Sequence, residues 1–218
     1  MDRCTRGIFI TATGTDIGKT YFSGLLVKKL RSHNINCGYY KPVLSGAEEI
    51  EGKLVPGDCV QVLKTSGLEV DPLSCVSYVF KPAVSPHFAC ESISLEKIIN
   101  DFNAISENYD FMVVEGAGGI ICPLNLSSEP FIMADLIKHL GLDIIIVADS
   151  GLGTINSTIL TIEYAKQKGI EIKGIVMNNF DDSNPMHVDN LKTIEKLSGI
   201  NIIAKIKTDA VELDEVVL

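Results

Sequence analysis

The sequence predicts an α/β fold in which helices flank both faces of a mostly parallel central sheet. Short apolar runs rich in β-branched residues alternate with longer segments of helical period, as in successive βαβ units. Two of the runs, 111–114 and 143–148, are continuously apolar, which is typical of strands covered on both faces. The 218 residues, 46% of them hydrophobic, suffice for one sizeable core. We therefore expect a single domain over residues 1–218.

Each apolar run and each periodic segment predicts one element. The predicted strands are 7–12, 37–41, 75–80, 110–115, 143–148, 172–178 and 201–206. The predicted helices are 20–33, 95–106, 131–140, 154–168 and 185–197. Gly141, Gly169 and Gly199 end three of these helices, because glycine readily takes the left-handed conformation that closes a last turn. The segment 46–57 is rich in Glu and Gly and predicts a mobile loop, either a lid or the commoner surface connection.

Composition favours a soluble cytoplasmic protein. With 28 acidic against 19 basic residues the net charge is −9, which argues against nucleic acid or an anionic membrane as a partner. No run approaches the ~20 apolar residues of a membrane span, and no apolar signal core stands at the N-terminus. The cysteines lie singly and without metal-like spacing, which indicates buried free thiols in a reducing compartment. They are Cys4, Cys37, Cys59, Cys75, Cys90 and Cys122.

The first predicted strand leads into Gly18-Lys19-Thr20, which is typical of a phosphate-binding loop. Glycines let backbone N–H groups close around phosphate, Lys19 supplies positive charge, and the Thr20 hydroxyl suits Mg²⁺ at a helix start. A nucleoside triphosphate is therefore the expected ligand. Thr13 stands where the strict spacing has its first glycine, and the nearest glycine is Gly14. This departure leaves open a plain glycine-containing turn with an exposed lysine.

Further polar residues stand at predicted strand ends, where ligands bind in parallel sheets. Lys41 ends the second strand because Pro42 cannot continue the pairing, and it adds a charge near the γ-phosphate or is simply solvated. Glu115 ends the fourth strand ahead of four small residues, 116–119, so a carboxylate lies beside closely approaching backbone. Thr20, Asp58 and Glu115 would hold Mg²⁺, although Asp58 alone also fits a helix N-cap.

Two residues near these motifs suggest a second substrate. Asp16 would repel a triphosphate, which suggests a substrate carrying amines, unless the residue only shapes the turn through its tolerance of left-handed geometry. Ser45 follows the second strand on a flexible turn and would position such a substrate or do nothing specific. His87, beside a proline, is either a substrate contact or a structural residue.

Two more strand ends carry candidate contacts. Gly153 and Thr154 open a helix whose free N–H groups suit a carboxylate, with a Thr154 or Ser150 cap as the alternative. Asn178 and Asn179 close the sixth strand, where an amide matches the edge of a nucleobase or merely turns the chain.

Five segments, in this order along the chain, together resemble the dethiobiotin synthetases. They are 15–20, 40–46, 85–87, 114–119 and 153–156. The resemblance implies a phosphate-loop nucleotide-binding fold and a cytoplasmic homodimeric ligase of biotin biosynthesis. Such a ligase uses ATP, Mg²⁺ and CO₂ or bicarbonate to close a cyclic urea on 7,8-diaminononanoate. The implied products are dethiobiotin, ADP and phosphate, formed through a carbamate and a carbamic-phosphoric anhydride. Other nucleoside triphosphates stay open as co-substrates.

The resemblance also implies a role for each matching residue. Lys19, Lys41 and Thr15 would be catalytic, and Thr15, Asp16, Lys41 and Ser45 would hold the diamine head. The substrate carboxylate would meet Gly153, Thr154, Ile155 and Asn156 from across the dimer interface, so that each site needs both subunits. The nucleotide would contact Asp16, Ile17, Gly18, Lys19, Thr20, Tyr21, Asp58, Glu115, Gly116, Ala117, Gly118, Asn178 and Asn179.

The sequence departs from the family pattern at two points, and two other functions compete. Ala12 stands where glycine is usual, and residues 205–208 replace a proline-containing turn near the nucleobase. A related amide-forming synthetase would need an ammonia source, usually a further glutaminase domain. A nucleotide-dependent positioning protein usually carries an extra lysine early in the loop, and residues 12–14 contain none.

Overall fold

The structure is a computed structural model that describes residues 7–90, 92–127 and 129–213. Seven of its strands form one parallel sheet in the order β11-β10-β9-β1-β6-β2-β5, and two antiparallel hairpins, β3-β4 and β7-β8, lie beside it. In chain order the strands are β1 Gly7–Ala12, β2 Cys37–Ser45, β3 Glu48–Ile50, β4 Lys53–Val55, β5 Val76–Phe80, β6 Phe111–Glu115, β7 Pro123–Asn125, β8 Phe131–Ile132, β9 Asp143–Asp149, β10 Ile172–Asn178 and β11 Ile202–Lys205.

The helices connect these strands across both faces of the sheet. They are α1 Lys19–Ser32, α2 Gly57–Ser66, α3 Pro86–Ala89, α4 Leu95–Ser106, α5 Met133–Leu140, α6 Thr154–Gln167 and α7 Pro185–Ser198, with a 3₁₀ turn at Pro72–Cys75. Gly141 and Gly199 cap α5 and α7 in the left-handed conformation, and Gly169 adopts it two residues after α6. The prediction that these glycines end helices is confirmed.

Strand side chains alternate between two apolar cores, one on each face of the sheet. Phe9 joins a core with residues of α4 to α7, whereas its neighbours Ile8 and Ile10 join a core with residues of α1 and α2. The central strand β1 lies between β6 and β9, and its side chains from Ile8 to Ala12 are buried. The predicted α/β class, with helices on both faces of a mostly parallel sheet, is confirmed.

Three local predictions are wrong. Strand β2 does not end at Lys41 but continues to Ser45, because pairing with β6 stops at Tyr40 and pairing with β5 takes over from Lys41. Pro42 therefore follows the last residue paired with β6, where its missing N–H is tolerated. The segment 46–57 is not irregular but folds into the hairpin β3-β4, turned by left-handed Glu51 and Gly52. Residues 131–132 pair with β7, so α5 begins at Met133.

The cysteines are less uniform than predicted. Cys37, Cys59 and Cys75 are buried free thiols, but Cys90 and Cys122 are only partly buried, because Cys90 lies directly after α3 and Cys122 lines an open cleft. Cys4 falls outside the described residues. None of the helices in the described ranges combines the length and the apolar character that crossing a bilayer requires.

Candidate active site

A cleft of about 810 Å³ opens where β1, β2 and β6 end, a size suited to small-molecule ligands. Its walls come from the loop after β1, the second half of β2, the start of α2, the loop after β5 and the loop after β6. Among the predicted site residues, the lining ones are Thr15, Asp16, Gly18, Lys19, Thr20, Tyr21, Lys41, Ser45, Asp58, Glu115, Ala117 and Gly118. The topology thus brings together residues from four separate parts of the chain.

The loop between β1 and α1 has the geometry of a phosphate-binding loop. Asp16 and Gly18 are left-handed, with φ of 57° and 102°, which supports the interpretation that Asp16 shapes the turn. Gly18 is the N-cap of α1 and brings no side chain, so the first N–H groups of the helix are open to an anion. Lys19 folds back across the loop, and its Nζ donates to the Gly14 carbonyl at 3.0 Å. Burial and the nearby Lys41 ammonium lower the pKa of Lys19 to about 8.

Glu115 forms the centre of the site. It is the last residue of β6 and fully buried, at 0% exposure. Its Oε1 accepts hydrogen bonds from Thr20 Oγ1 at 2.8 Å and from Lys41 Nζ at 2.6 Å. Its Oε2 accepts one from the Tyr39 hydroxyl at 2.9 Å. These three donors stabilise a buried charge that would otherwise be costly.

Sequence reasoning missed Tyr39, although a signal for it exists. Residues 39 and 41 lie two apart on β2, so their side chains project from the same face of the strand. The pattern that makes Lys41 a candidate therefore also places Tyr39 on the same face of the strand. Burial and the Glu115 carboxylate raise the pKa of Tyr39 well above its usual value, so the phenol remains a hydrogen-bond donor.

Lys41 joins two carboxylates. It is 3% exposed, and its Nζ lies 2.7 Å from Asp58 Oδ2 and 2.6 Å from Glu115 Oε1, with the Gly116 carbonyl at 3.2 Å. Burial acts to lower the pKa of Lys41, but Glu115 and Asp58 outweigh it, and the net shift is upward. The interpretation of Lys41 as a solvated strand-end residue is therefore wrong.

Asp58 is not a helix N-cap. Pro56 holds that position in α2, whereas Asp58 lies in the first turn and directs its carboxylate to Lys41. The side chain is therefore free of the local capping role and available to the cleft.

Thr20, Asp58 and Glu115 supply a donor set that fits Mg²⁺. All three offer oxygen atoms, and the Lys41 ammonium between the two carboxylates shows that the pair accommodates a cation. Across the described part of the chain, no group of three His, Cys, Asp or Glu side chains is arranged to hold a metal. A Mg²⁺ ion held by Thr20, Asp58 and Glu115 would complete its ligands with water and phosphate oxygens, which is the usual situation for Mg²⁺ in nucleotide sites.

The opposite wall of the cleft carries hydroxyl groups. Ser45, at the end of β2, has a buried Oγ without a hydrogen-bond partner among the described residues. Ser85 Oγ lies 3.0 Å from His87 Nδ1 and 3.8 Å from Cys122 Sγ. His87 thus contacts Ser85 and does not itself line the cleft. The Thr15 and Asp16 side chains are exposed and line the cleft.

Asn178 and Asn179 lie at the end of β10, outside the cleft lining. Asn178 Nδ2 donates to the Ile17 carbonyl of the phosphate loop at 2.9 Å. Asn179 is left-handed, with φ of 55°, and its amide donates to Asp149 Oδ1 at 2.9 Å, as a turn residue does. Asn178 therefore contacts the phosphate loop, and Asn179 bonds to a neighbouring strand end; neither residue lines the cleft.

Residues 153–156 lie at the start of α6, also outside the cleft of a single chain. The capping alternative is wrong, because Thr154 Oγ1 donates to the Asp149 carbonyl at 2.5 Å and Ser150 Oγ to the Asn178 carbonyl at 2.6 Å. Asn190 of α7, which the sequence analysis did not identify, donates to the carbonyls of Ser150 and Gly151 and so holds this loop.

Comparison with known proteins agrees with this geometry. A family model described as an AAA domain matches residues 6–211. An ATP-dependent dethiobiotin synthetase BioD of Clostridium botulinum (strain Loch Maree / Type A3) is 52% identical over 189 residues, which cover 85% of this chain and 83% of the relative. This chain belongs to the dethiobiotin synthetase family. A second dethiobiotin synthetase, from Clostridium perfringens (strain 13 / Type A), is 46% identical and covers 97% of both chains.

Solved structures show the fold more widely. A ParA family ATPase from Chlorobium tepidum TLS matches with a TM-score of 0.56 at 16% identity, over 95% of this chain and 86% of that one. The MinC:MinD complex of Aquifex aeolicus matches with a TM-score of 0.55 at 16% identity, over 93% of this chain and 81% of the other. At such identities the likeness shows a common phosphate-loop fold alone. As a dethiobiotin synthetase by family, the chain is an ATP-dependent enzyme of the ligase class.

Proposed function

We propose that this protein closes the cyclic urea of dethiobiotin on 7,8-diaminononanoate, using CO₂ and ATP and releasing ADP and phosphate. The observation that carries the proposal is the position of Lys41. A buried ammonium stands beside the phosphate loop and between two carboxylates, in a cleft whose open mouth carries Asp16. The cleft thus offers positive charge from Lys19 and Lys41 to a phosphoryl group and negative charge from Asp16 to amines.

The reaction divides into three balanced steps. One amine of the substrate adds to CO₂ and loses a proton, which gives a carbamate. A carbamate oxygen then attacks the γ-phosphorus, the bond to the β-phosphate oxygen breaks, and ADP leaves. The second amine attacks the carbamate carbon, phosphate leaves with the bridging oxygen, and the last proton passes to solvent. Positioning and charge stabilisation supply most of the catalysis in such phosphoryl transfers.

The residues of the cleft divide this work. Lys19 and Lys41 stabilise the charge that builds on the carbamate and on the transferring phosphoryl group. Thr15, Asp16 and Ser45 hold the diamine head, with Asp16 attracting the ammonium groups and Ser45 offering its unpartnered hydroxyl. The N–H groups at the start of α1 bind the phosphates.

Thr20, Asp58 and Glu115 would hold Mg²⁺ in this proposal. Mg²⁺, when bound, neutralises charge on the outer phosphates of the nucleotide. Tyr39 keeps the Glu115 carboxylate oriented towards Thr20 and Lys41 through its bond to the other carboxylate oxygen. Tyr21, residues 116–118 and the asparagines of β10 would contact the remainder of the nucleotide.

We further propose a cytoplasmic homodimer whose sites are shared, built from one domain per chain. The N–H groups at the start of α6 would bind the substrate carboxylate of the partner subunit, since residues 153–156 lie outside the cleft of their own chain. Leu152, beside them, is 94% exposed, and Leu160 on α6 is 62% exposed. Apolar side chains this open, next to a proposed site, are expected at an interface between subunits.

The proposal is tested by incubating the protein with ATP, Mg²⁺, bicarbonate and 7,8-diaminononanoate, and identifying the product by mass. We expect dethiobiotin, and ATP turnover that depends on both the diamine and bicarbonate. If folded protein that binds ATP forms no dethiobiotin under these conditions, the assignment is refuted. Turnover driven by DNA or by membranes, and not by the diamine, would instead favour a nucleotide-dependent positioning protein.

A further inference from the structure

Asn178 holds one peptide group of the phosphate loop. Its Nδ2 donates to the carbonyl of Ile17 at 2.9 Å, across 161 residues of sequence. The asparagine is 6% exposed, and its Oδ1 has no hydrogen-bond partner in the described ranges. The loop that follows β1 is therefore tied to a strand two places away in the sheet.

The tie fixes the direction of the next N–H. The Ile17 carbonyl and the Gly18 N–H belong to one trans peptide, in which the two groups point in opposite directions. Gly18 lines the cleft, whereas Asn178 lies outside its lining. Drawing the Ile17 carbonyl towards Asn178 therefore turns the Gly18 N–H towards the position of a bound phosphate.

The identity of Gly18 is explained by the same contact. A Cβ at this position would stand 2.2 Å from Asn178 Nδ2, which is too close for any side chain. The residue is also left-handed, at φ of 102°, and glycine is permitted there without strain. The absence of a side chain at Gly18 thus leaves room for the Asn178 amide to reach the loop.

We infer that Asn178 is a positioning residue for phosphate binding, acting through the Ile17–Gly18 peptide. Without the Asn178 amide, the Ile17 carbonyl loses its hydrogen-bond donor and the Ile17–Gly18 peptide is free to rotate. Rotation moves the Gly18 N–H away from the phosphate. This inference rests on the nucleotide binding of the proposed function and not on its diamine chemistry. Its failure is therefore distinguishable from a failure to form dethiobiotin.

The test uses a ligand that has phosphates but no base. Binding of inorganic tripolyphosphate and of ATP is measured by calorimetry for the wild type, Asn178→Ala and Asn178→Asp. We expect tripolyphosphate affinity to fall about tenfold in Asn178→Ala, the cost of one lost hydrogen bond between the Gly18 N–H and a phosphate oxygen. Asn178→Asp should lose at least as much, because an oxygen then faces the Ile17 carbonyl.

Two further variants keep the test decisive. Asn36→Ala removes a similar amide bond, to the Asn108 carbonyl at 2.8 Å, near the amino end of β2 and away from the cleft. It should leave both affinities unchanged. In Gly18→Ala the added methyl group displaces the Asn178 side chain from the Ile17 carbonyl. This variant should lower tripolyphosphate affinity, and it can be measured even if Asn178→Ala fails to fold.

Unchanged tripolyphosphate affinity in folded Asn178→Ala or in Gly18→Ala would overturn the inference. If only ATP affinity falls, Asn178 contacts the base alone. A purely structural role would lower the free energy of unfolding without changing tripolyphosphate affinity. A wild type that does not bind tripolyphosphate would also contradict it, since the loop would then have no phosphate-binding orientation to preserve.

Discussion

The hydroxyl of Tyr39 donates a hydrogen bond to Glu115 Oε2 at 2.9 Å, between the neighbouring strands β2 and β6. Both side chains are almost fully excluded from solvent. The bond occupies one carboxylate oxygen and leaves the other to face Thr20 and Lys41. Tyr39 thereby sets the orientation of the carboxylate at the centre of the cleft.

Replacing Tyr39 by phenylalanine should raise the Mg²⁺ concentration needed for half-maximal ATP binding, because Glu115 is then free to turn. The unfolding free energy should also fall by about 1–3 kcal/mol, since a buried acceptor loses its donor. Tyr40→Phe is the matched control, because its hydroxyl bonds to Ser77 and to the Ile98 carbonyl, neither of which lines the cleft. An unchanged Mg²⁺ requirement in Tyr39→Phe would contradict the role given to Tyr39.

Lys41→Ala should reduce turnover by about 10²–10³-fold, as loss of a transition-state charge contact does elsewhere. Nucleotide affinity should change much less, because Lys19 and the loop N–H groups remain. Without Mg²⁺ the variant should be less stable by about 3 kcal/mol, since Glu115 and Asp58 lose their buried partner. Steady-state kinetics, calorimetry and urea unfolding measure the three effects. Equal losses of affinity and turnover would make Lys41 a phosphate anchor only.

Thiol alkylation should separate the cysteines by burial. Burial raises the pKa of Cys37 to about 12, and burial also raises that of Cys59, so few thiolates form there at neutral pH. Among the cysteines of the described ranges, the partly buried Cys90 and Cys122 should react first with iodoacetamide, as followed by peptide mass analysis. Cys122 lines the cleft, so nucleotide and diamine together should protect it while Cys90 continues to react. Equal protection of the two would argue against ligand binding in this cleft.

The shared site predicts complementation between two inactive variants. Asn156→Asp places a negative charge at the proposed carboxylate site, and Lys41→Ala disables the phosphoryl end of the other subunit's cleft. In a randomly reassociated mixture half of the dimers are mixed, and each has one intact site, so activity should recover to about a quarter of wild type. Mixed activity no higher than that of the separate variants would show that each chain uses only its own residues.

The fold and much of the site follow from local sequence. The phosphate loop and Glu115 stand where strand ends are recognisable from apolar runs and small residues. The contacts of these groups do not follow locally, because they depend on strand order. β6 lies between β1 and β2, and only this order brings Tyr39 and Thr20 to the same carboxylate.

Lys41 shows the same limit in a different way. Pro42 indicated a strand end, yet β2 continues because its pairing passes from β6 to β5. The burial of Lys41 also depends on α2, which carries Asp58 to it from a separate segment. Asn190, in the middle of α7, contacts a loop 39 and 40 residues earlier and leaves no local pattern.

In the proposed reaction a carbamate oxygen attacks the γ-phosphorus of ATP in this cleft. Bicarbonate freshly labelled with ¹⁸O tests it directly, since the bridging oxygen must leave with the phosphate. We predict that phosphate released by the wild type carries one labelled oxygen and that dethiobiotin carries label in its urea oxygen. Phosphate without label, formed together with labelled dethiobiotin, would contradict attack by a carbamate oxygen.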